Sequence, residues 1–401
     1  MRHSIKRLLL LALSAIGITM AAFFGFYSFG GMSGPQQTVE ELFNHADVQI
    51  NGKRPWDLQV HDEAFYSRVL RDSSLGFGET YMEGLWDAQQ LDECIFRVVQ
   101  AKLAEKTYSW PALLTIAKAK LFNLQSKSKS LEVIEKHYQL GNDLYRNMLD
   151  PSLTYSCGYW KEANTLEEAQ NAKYDLICKK LHLRPGMQLL DIGCGWGGFA
   201  KFAATHYGVH VIGITLSENQ AEYARSICAG LPVEIRIQDY REVTEQFDRV
   251  IEIGMFEHVG AKNHREFMEI VHRCLKKDGL FLLHTIGSNV TTLTTDPWID
   301  TYIFPNGQLP SIAQIGTAIE NLFVMEDWHN FGADYDKTLM AWYENFEKNW
   351  AHLSTKYDAT FYRMWRYYLH SCAASFRARE IQLWQVVLSK HGVKGTYLSV
   401  R

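Results

Sequence analysis

Residues 189–198 read LLDIGCGWGG, the clearest indication of the fold in this chain. Leu189 and Leu190 close a short apolar run typical of a buried strand, and residues 199–204 (FAKFAA) continue as a helix. The glycines that follow Asp191 allow backbone amides at the helix N-terminus to approach a ligand closely. The pattern resembles a nucleotide-binding turn, although a turn that only joins two core elements could carry the same glycines.

The composition is that of an ordinary globular protein. The chain has 401 residues, enough for two domains, of which 47% are hydrophobic and 21% are charged. A net charge of −4 gives no general attraction for nucleic acid. The seven cysteines include no Cys-x-x-Cys pair, so the sequence indicates neither a disulfide framework nor a metal site. Reduced cytosolic thiols are the simplest interpretation.

One apolar segment, residues 8–29, contains no charge and follows Arg2, Lys6 and Arg7. As a helix it is long enough to span a bilayer core of about 30 Å. Three interpretations stay open: a cleaved signal peptide, an N-terminal anchor, or an over-extended start in which the protein begins at Met32. A cytosolic cofactor would require the remainder of the chain to face the cytoplasm in every case.

A polar run at residues 125–130 (QSKSKS) indicates a linker, and it follows a helix predicted over residues 110–124. We therefore expect three parts: the apolar segment 1–33, a smaller and mainly helical domain over residues 34–128, and a larger domain over residues 129–401.

Strands and helices alternate in the larger domain from about residue 180. The predicted strands are 187–192, 209–214, 233–237, 249–253 and 280–286, and the helices between them are 198–206, 218–229 and 262–277. This alternation predicts an α/β fold with a Rossmann-like, doubly wound parallel sheet. Ligands of such sheets bind beyond the carboxyl ends of the strands.

Two acidic positions distinguish between nucleotide ligands. Asp239 follows the third strand, where its carboxylate could accept a hydrogen bond from an adenine amino group while Tyr240 covers the ring; an N-cap or turn role is equally compatible. The second strand ends in ITLSENQ (214–220), so its acid, Glu218, comes later than the ribose-binding acid of NAD enzymes. This spacing favours S-adenosylmethionine over NAD.

Reactive side chains follow several of the same strands. Each alone is more often structural, since a strand-end histidine is usually a hydrogen-bonded core residue and a lone cysteine a small core hydrophobe. Together they supply a carboxylate, an imidazole, a thiol and a phenol that could converge above one sheet. The candidates are Cys157, Glu257, His258, His284 and Tyr335.

At these residues the chain resembles a known family, the bacterial cyclopropane-fatty-acid-phospholipid synthases and the related mycolic acid cyclopropane synthases. The resemblance runs from about Val48 to the C-terminus, and the apolar segment 8–29 lies outside it. Gly158 departs from the family pattern, which has alanine there. The motifs are YSCGYW (155–160), LLDIGCGWGG (189–198), GITLSENQ (213–220), MFEHVG (255–260), LLHTIGS (282–288), DPWIDTYIFPNGQLPS (296–311), EDWHNFGADYDKTL (326–339) and FRAREIQLWQVV (376–387).

This resemblance implies a class I methyltransferase that transfers a methylene group from S-adenosylmethionine to the cis double bond of a phospholipid acyl chain. In the family a carbocation forms and loses a proton with the help of bound bicarbonate. The bicarbonate ligands carried over by motif are the side chains of Cys157, Glu257, His284 and Tyr335 and the backbone of Ile286. The residues expected to bind the cofactor are Tyr155, Ser156, Asp191, Gly193, Gly195, Thr215, Ser217, Gln220, Asp239 and Tyr240.

A lipid substrate implies a membrane partner with unsaturated acyl chains, and family members suggest a homodimer. The domain at 34–128 would bind lipid, with the helix at 110–124 as a membrane contact or simply a packed helix. The protein would act at the cytoplasmic face of the inner membrane, peripherally or tethered by residues 8–29. A nucleic-acid methyltransferase is disfavoured, because no basic stripe is present. The intact set of reactive side chains argues against a non-catalytic lipid-binding protein.

Overall fold

The computed structural model describes residues 34–103 and 141–401. The helices are α1 (Pro35–Asn44), α2 (Ala64–Met82), α3 (Leu91–Gln100), α4 (Asn142–Met148), α5 (Leu166–Lys180), α6 (Gly198–Tyr207), α7 (Glu218–Ile227), α8 (His264–Cys274), α9 (Pro297–Tyr302), α10 (Ile312–Ile319), α11 (Ala333–Leu353) and α12 (Ala359–Arg377). The strands are β1 (Gln59–Val60), β2 (Trp86–Asp87), β3 (Gln188–Ile192), β4 (His210–Thr215), β5 (Val233–Ile237), β6 (Phe247–Ile253), β7 (Leu275–Ser288), β8 (Val324–Asn330) and β9 (Ile381–Ser389).

The central sheet has seven strands in the order β5-β4-β3-β6-β7-β9-β8. The first five are parallel, and β9 pairs antiparallel with both β7 and β8. The chain reverses its winding direction between β3 and β6, so the carboxyl ends of these strands flank a crevice where a ligand can enter. The predicted doubly wound sheet is confirmed.

The glycine turn joins β3 to α6 with a backbone that only glycine adopts readily. The amide of Gly193 donates to the carbonyl of Ile214 at 2.9 Å, which holds the turn against β4. Gly197 has φ +85°, and a Cβ there would lie 2.8 Å from the Cβ of Ala224 in α7. Close packing of α6 and α7 beside the turn therefore requires glycine at this position.

We expect the substitution Gly197→Ala to destabilise the protein by about 1–3 kcal/mol, because it combines a left-handed backbone with overlap against Ala224. Urea unfolding followed by circular dichroism measures the change. Gly316→Ala in α10 is the matched control, since a Cβ at Gly316 meets nothing within 4 Å. Equal stability of the Gly197 variant and the wild type would contradict the packing argument.

The N-terminal part packs on the last two helices rather than standing apart. Side chains of α1, α2 and α3 share one hydrophobic core with α11 and α12. Phe77 stacks on Trp86 with ring centroids 4.4 Å apart and meets the edge of Tyr367 from α12 at 6.2 Å. The described residues 34–103 are therefore fixed against the larger domain by aromatic packing.

The sequence-based elements differ from the structure in two ways: one helix end is misplaced, and several elements were not predicted. The predicted helix 262–277 ends at Cys274, because Leu275 pairs with Phe247 and is fully buried at the start of β7. The antiparallel strands β8 and β9 and the long helices α5, α11 and α12 were not predicted. The apolar segment 8–29, the helix expected at 110–124, the linker at 125–130 and the boundary between 128 and 129 lie outside the described residues. Within residues 34–103 and 141–401, no helix is long and apolar enough to cross a membrane.

Candidate active site

A cavity of about 700 Å³ lies at the carboxyl ends of the parallel strands. All of the site residues predicted from the sequence line this cavity except Cys157. His258, the remaining candidate, also lines it. The predicted residues that line the cavity are Tyr155, Ser156, Asp191, Gly193, Gly195, Thr215, Ser217, Gln220, Asp239, Tyr240, Glu257, His284, Ile286 and Tyr335.

Three residues at the end of β4 and the start of α7 form one hydrogen-bonded unit beside the glycine turn. The Thr215 hydroxyl donates to Gln220 Oε1 at 3.0 Å and accepts from the Ser217 amide at 3.2 Å. Ser217 caps α7 by accepting from the Gln220 amide at 3.4 Å. All three side chains are buried, so their positions are fixed before any ligand binds.

Asp239 and Tyr240 follow β5, and the structure adds a partner that the sequence did not reveal. The Asp239 carboxylate accepts from both the amide and the guanidinium of Arg241, each at 2.9 Å. Asp239 therefore caps a short turn and can still face the cavity. The Arg241 guanidinium also lies over the Tyr240 ring, 4.7 Å from its centroid. This stacking holds the ring at the cavity wall.

A buried lysine holds Ser156 in place at the cavity. Lys173 of α5 is fully buried, and its Nζ donates to Ser156 Oγ at 2.7 Å. No carboxylate among the described residues lies within ion-pair distance of this ammonium group. Burial lowers the pKa of Lys173 to about 7 and raises the pKa of nearby Asp191 to about 7. Asp191 Oδ2 is buried without a hydrogen-bond partner.

Glu257 and Ile286 are in direct contact at the end of β7. Glu257 Oε1 accepts from the Ile286 amide at 2.7 Å, while Oε2 is buried without a partner. Burial raises the pKa of Glu257 to about 7, so the carboxyl can hold or release a proton near neutrality. Behind it, Glu252 accepts from the amides of Met255 and Phe256 and fixes the turn that carries Glu257.

His284 is held in one tautomer by its cross-strand neighbour. Gln385 lies opposite His284 in the β7–β9 register, and its amide nitrogen donates to His284 Nδ1 at 3.2 Å. An amide nitrogen only donates, so the neutral imidazole carries its proton on Nε2. Burial keeps the pKa of His284 well below its usual value. His284 Nε2 is buried without a partner and is therefore available as a donor.

Cys157 lies behind the cavity wall. Its thiol donates to the Gly158 carbonyl at 3.2 Å and accepts from Thr338 at 3.9 Å, and burial raises its pKa well above the usual value. Tyr335 faces the cavity and stacks on Phe376 at 4.5 Å. A Cβ at Gly158 would lie 2.9 Å from the Cβ of Ala169, so the packing of this chain accounts for glycine where the family pattern has alanine.

The raised pKa of Glu257 makes stability depend on pH. A carboxyl that binds its proton more tightly in the folded state adds stability at low pH, and this contribution is lost as the pH rises through about 7. We expect the free energy of unfolding of the wild type, relative to Glu257→Gln, to fall by about 1–3 kcal/mol from acidic to mildly alkaline pH. Urea titrations of both proteins across this range measure the difference. A difference independent of pH would contradict the proposed burial of an ionisable carboxyl.

The structure also reveals site residues that sequence reasoning missed: Lys173, Arg241, Glu252 and Gln385. A signal for Lys173 is present in the sequence, because Ala169, Lys173 and Ile177 follow one another at a spacing of four in α5 and share its buried face. No comparable local signal exists for Gln385, whose role depends on strand register. No group of His, Cys, Asp and Glu side chains in residues 34–103 and 141–401 could hold a metal ion.

The strand order, the glycine turn and the position of the cavity define a class I S-adenosylmethionine-dependent methyltransferase. Two solved structures are similar at 35% identity and a TM-score of 0.61, each covering 65% of this chain and 98% of its own. They are the cyclopropane synthase MmaA2 from Mycobacterium tuberculosis and the mycolic acid cyclopropane synthase CmaA1 complexed with SAH and CTAB.

The profile of the mycolic acid cyclopropane synthetase family matches residues 125–386, and the chain belongs to this family. A relative that is 53% identical over 353 residues is the cyclopropane-fatty-acyl-phospholipid synthase of Escherichia coli strain K12. The match covers 88% of this chain and 92% of that protein. The protein is therefore an S-adenosylmethionine-dependent methyltransferase, and the resemblance noted in the sequence is confirmed.

Proposed function

We propose that the protein is a cyclopropane-fatty-acyl-phospholipid synthase, which adds a methylene group from S-adenosylmethionine across the cis double bond of unsaturated phospholipid acyl chains. The observation that carries this proposal is the unpaired Glu257 carboxyl oxygen with a pKa of about 7, buried in the same cavity as the glycine turn. Ring closure requires removal of a proton after methyl transfer, and this oxygen can take part in that removal. The high identity to the E. coli synthase supports the same activity.

The cofactor residues fit S-adenosylmethionine, which supplies an electrophilic methyl group when bound. We assign the cofactor to the wall formed by Ser156, the glycine turn and the Thr215–Gln220 unit. Asp239 and Tyr240 would contact its adenine. These side chains are held by hydrogen bonds and stacking before binding, so the site is preorganised.

The unpaired atoms near Glu257 also fit bicarbonate, which would supply a relay for the proton when bound. His284 Nε2 and the Tyr335 hydroxyl can donate to an anion, and a protonated Glu257 can share its proton with it. Cys157 would reach the ligand only if the thiol turned from Gly158 and Thr338, so we give it a packing role as well as the role carried over from the family.

The walls of the cavity fit an acyl chain. Its apolar part extends into the N-terminal helices, which supports the proposal that residues 34–128 bind lipid. Such walls exclude water from a reaction that passes through a carbocation. The apolar side chains from α1, α2 and α3 that line the cavity are Leu42, Phe43, Val69, Phe77, Ile95, Val98 and Val99.

Three further features belong to this proposal. The enzyme would work on the cytoplasmic face of the inner membrane, where S-adenosylmethionine is available. Residues 8–29 would tether it there if they are retained. A homodimer is proposed by analogy with the family.

A labelling experiment tests the function. Purified full-length protein is incubated with methyl-labelled S-adenosylmethionine and vesicles of dioleoyl phosphatidylethanolamine. We expect the label to enter the lipid fraction, and saturated dipalmitoyl vesicles to remain unlabelled because they lack the double bond. Absence of lipid label with the unsaturated vesicles, or equal label in both lipids, would contradict the proposal.

A further inference from the structure

Three exposed aliphatic side chains lie together beside the cavity: Val290, Leu293 and Ile312, here called the mouth patch. Their exposed fractions are 59%, 37% and 54%. Val290 and Leu293 belong to the loop after β7, and Ile312 begins α10. Large aliphatic groups exposed on adjoining segments mark an interaction surface more often than isolated ones do.

Backbone and side-chain contacts hold the two segments of the patch side by side. Ser288 forms a bridge with Ser311, and its amide donates to the Pro310 carbonyl at 2.9 Å. The Thr291 and Ser311 hydroxyls are 2.7 Å apart, and Gln308 Nε2 donates to the Thr292 carbonyl at 3.2 Å. These hydrogen bonds hold the two segments of the mouth patch together as one surface.

The same two segments form part of the cavity wall. Thr292, Thr294 and Thr295 line the cavity from the loop, and Gln308 and Leu309 line it from the segment before α10. The mouth patch is therefore continuous with the cavity, and whatever docks on the patch lies next to the cavity wall.

Charge is absent from both segments. Residues 287–295 (GSNVTTLTT) and 301–319 (TYIFPNGQLPSIAQIGTAI) contain no Asp, Glu, Lys, Arg or His. The exposed residues of α10 are Ile312, Ala313 and Thr317, which are apolar or weakly polar. Such a surface can insert at the boundary between the headgroups and the acyl chains of a lipid leaflet. Because it carries no charge, it does not attract anionic headgroups.

We propose that the mouth patch inserts into the bilayer surface and places the cavity against the lipid, so that an acyl chain can pass from the leaflet to the site. This proposal rests on the proposed function, because it takes a phospholipid acyl chain as the substrate. It assigns membrane contact to the uncharged segments around Val290, Leu293 and Ile312, separately from the helix expected at 110–124. Burial of these aliphatic groups would contribute most of the binding, and added salt should change it little.

The test is vesicle cosedimentation of the full chain with the variant V290S/L293S/I312S. We expect binding to vesicles of unsaturated phosphatidylethanolamine and phosphatidylglycerol to weaken by about tenfold or more. At limiting lipid, turnover should fall, while the affinity for S-adenosylmethionine measured by calorimetry stays unchanged. The matched control is V324S/M325S, because these side chains are exposed to 45% and 43% at the edge strand β8. The control should bind vesicles as the wild type does.

A second measurement tests the proposal without the triple variant, in case that variant folds poorly. An environment-sensitive fluorophore is attached at I312C or at M325C, and vesicles are added. We expect a blue shift at position 312 and none at 325. Unchanged vesicle binding by the triple variant, equal spectra at both positions, or a patch that mediates self-association instead would overturn the proposal. Failure of the proposed function gives a different result: the wild type binds vesicles, but no label from S-adenosylmethionine enters their lipids.

Discussion

Glu257→Gln should lower the rate of lipid modification by at least about 100-fold while leaving S-adenosylmethionine binding intact. The amide oxygen of glutamine can still accept from the Ile286 amide, so the local geometry is kept. What is lost is the second carboxyl oxygen, which is buried, unpaired and able to exchange a proton near pH 7. Single-turnover assays and calorimetry of the same samples separate the two effects.

The control for this variant is Glu252→Gln, which changes another buried carboxyl beside it. Burial raises the pKa of Glu252 well above its usual range, and the neighbouring Glu257 adds to the effect. We expect the rate of the Glu252→Gln variant to fall by well under tenfold, because glutamine can still accept from the backbone amides of Met255 and Phe256. The wild-type rate should also rise with pH through about 7, as Glu257 ionises. Comparable losses in the two variants would remove Glu257 from its assigned role.

Lys173→Met should weaken S-adenosylmethionine binding by on the order of 10- to 100-fold, because it removes a buried positive charge and releases the Ser156 hydroxyl. The lysine itself does not line the cavity, so it acts by positioning Ser156. Protein stability should not fall, since methionine fills the same space without the desolvation that lowers the lysine pKa to about 7.

Calorimetric titration with S-adenosylmethionine over a range of pH measures this effect. The wild-type affinity should decline as the pH rises above about 7 and Lys173 loses its proton, and the methionine variant should lack that decline. Ser156→Ala is the matched comparison: because Lys173 acts through Ser156, this variant should lose about as much affinity as the methionine variant. A methionine variant with wild-type affinity at every pH would show that Lys173 only fills space.

Much of the sheet and the cavity could be predicted because the parallel strands are short apolar runs followed directly by distinctive motifs. LLDIGCGWGG, ITLSENQ and MFEHVG each come at a strand end, so their convergence follows from topology alone. The run IQLWQVVLS of β9 is almost wholly buried, but pattern alone does not tell whether such a run is a strand or a helix segment. The end of α8 was misplaced because Lys276 and Lys277 look like helix C-terminal residues.

The supporting contacts of the site could not be predicted, because they join segments far apart in the chain. Gln385 meets His284 only through the antiparallel register of β7 and β9. Cys157 was expected at the ligand, yet the structure turns its thiol toward Gly158 and Thr338, a contact that needs α11 in place. Lys173 is the exception, since its position on the buried face of α5 is visible in the spacing.

We expect this enzyme to close a ring rather than leave a methyl branch, and the fate of the methyl hydrogens distinguishes these two outcomes. The full-length protein is given S-adenosylmethionine with a fully deuterated methyl group and dioleoyl phosphatidylethanolamine vesicles, and the acyl chains are analysed by mass spectrometry. Ring closure removes a deuteron from the new methyl group, so we expect products that retain two deuterium atoms. Acyl chains that retain all three would contradict it.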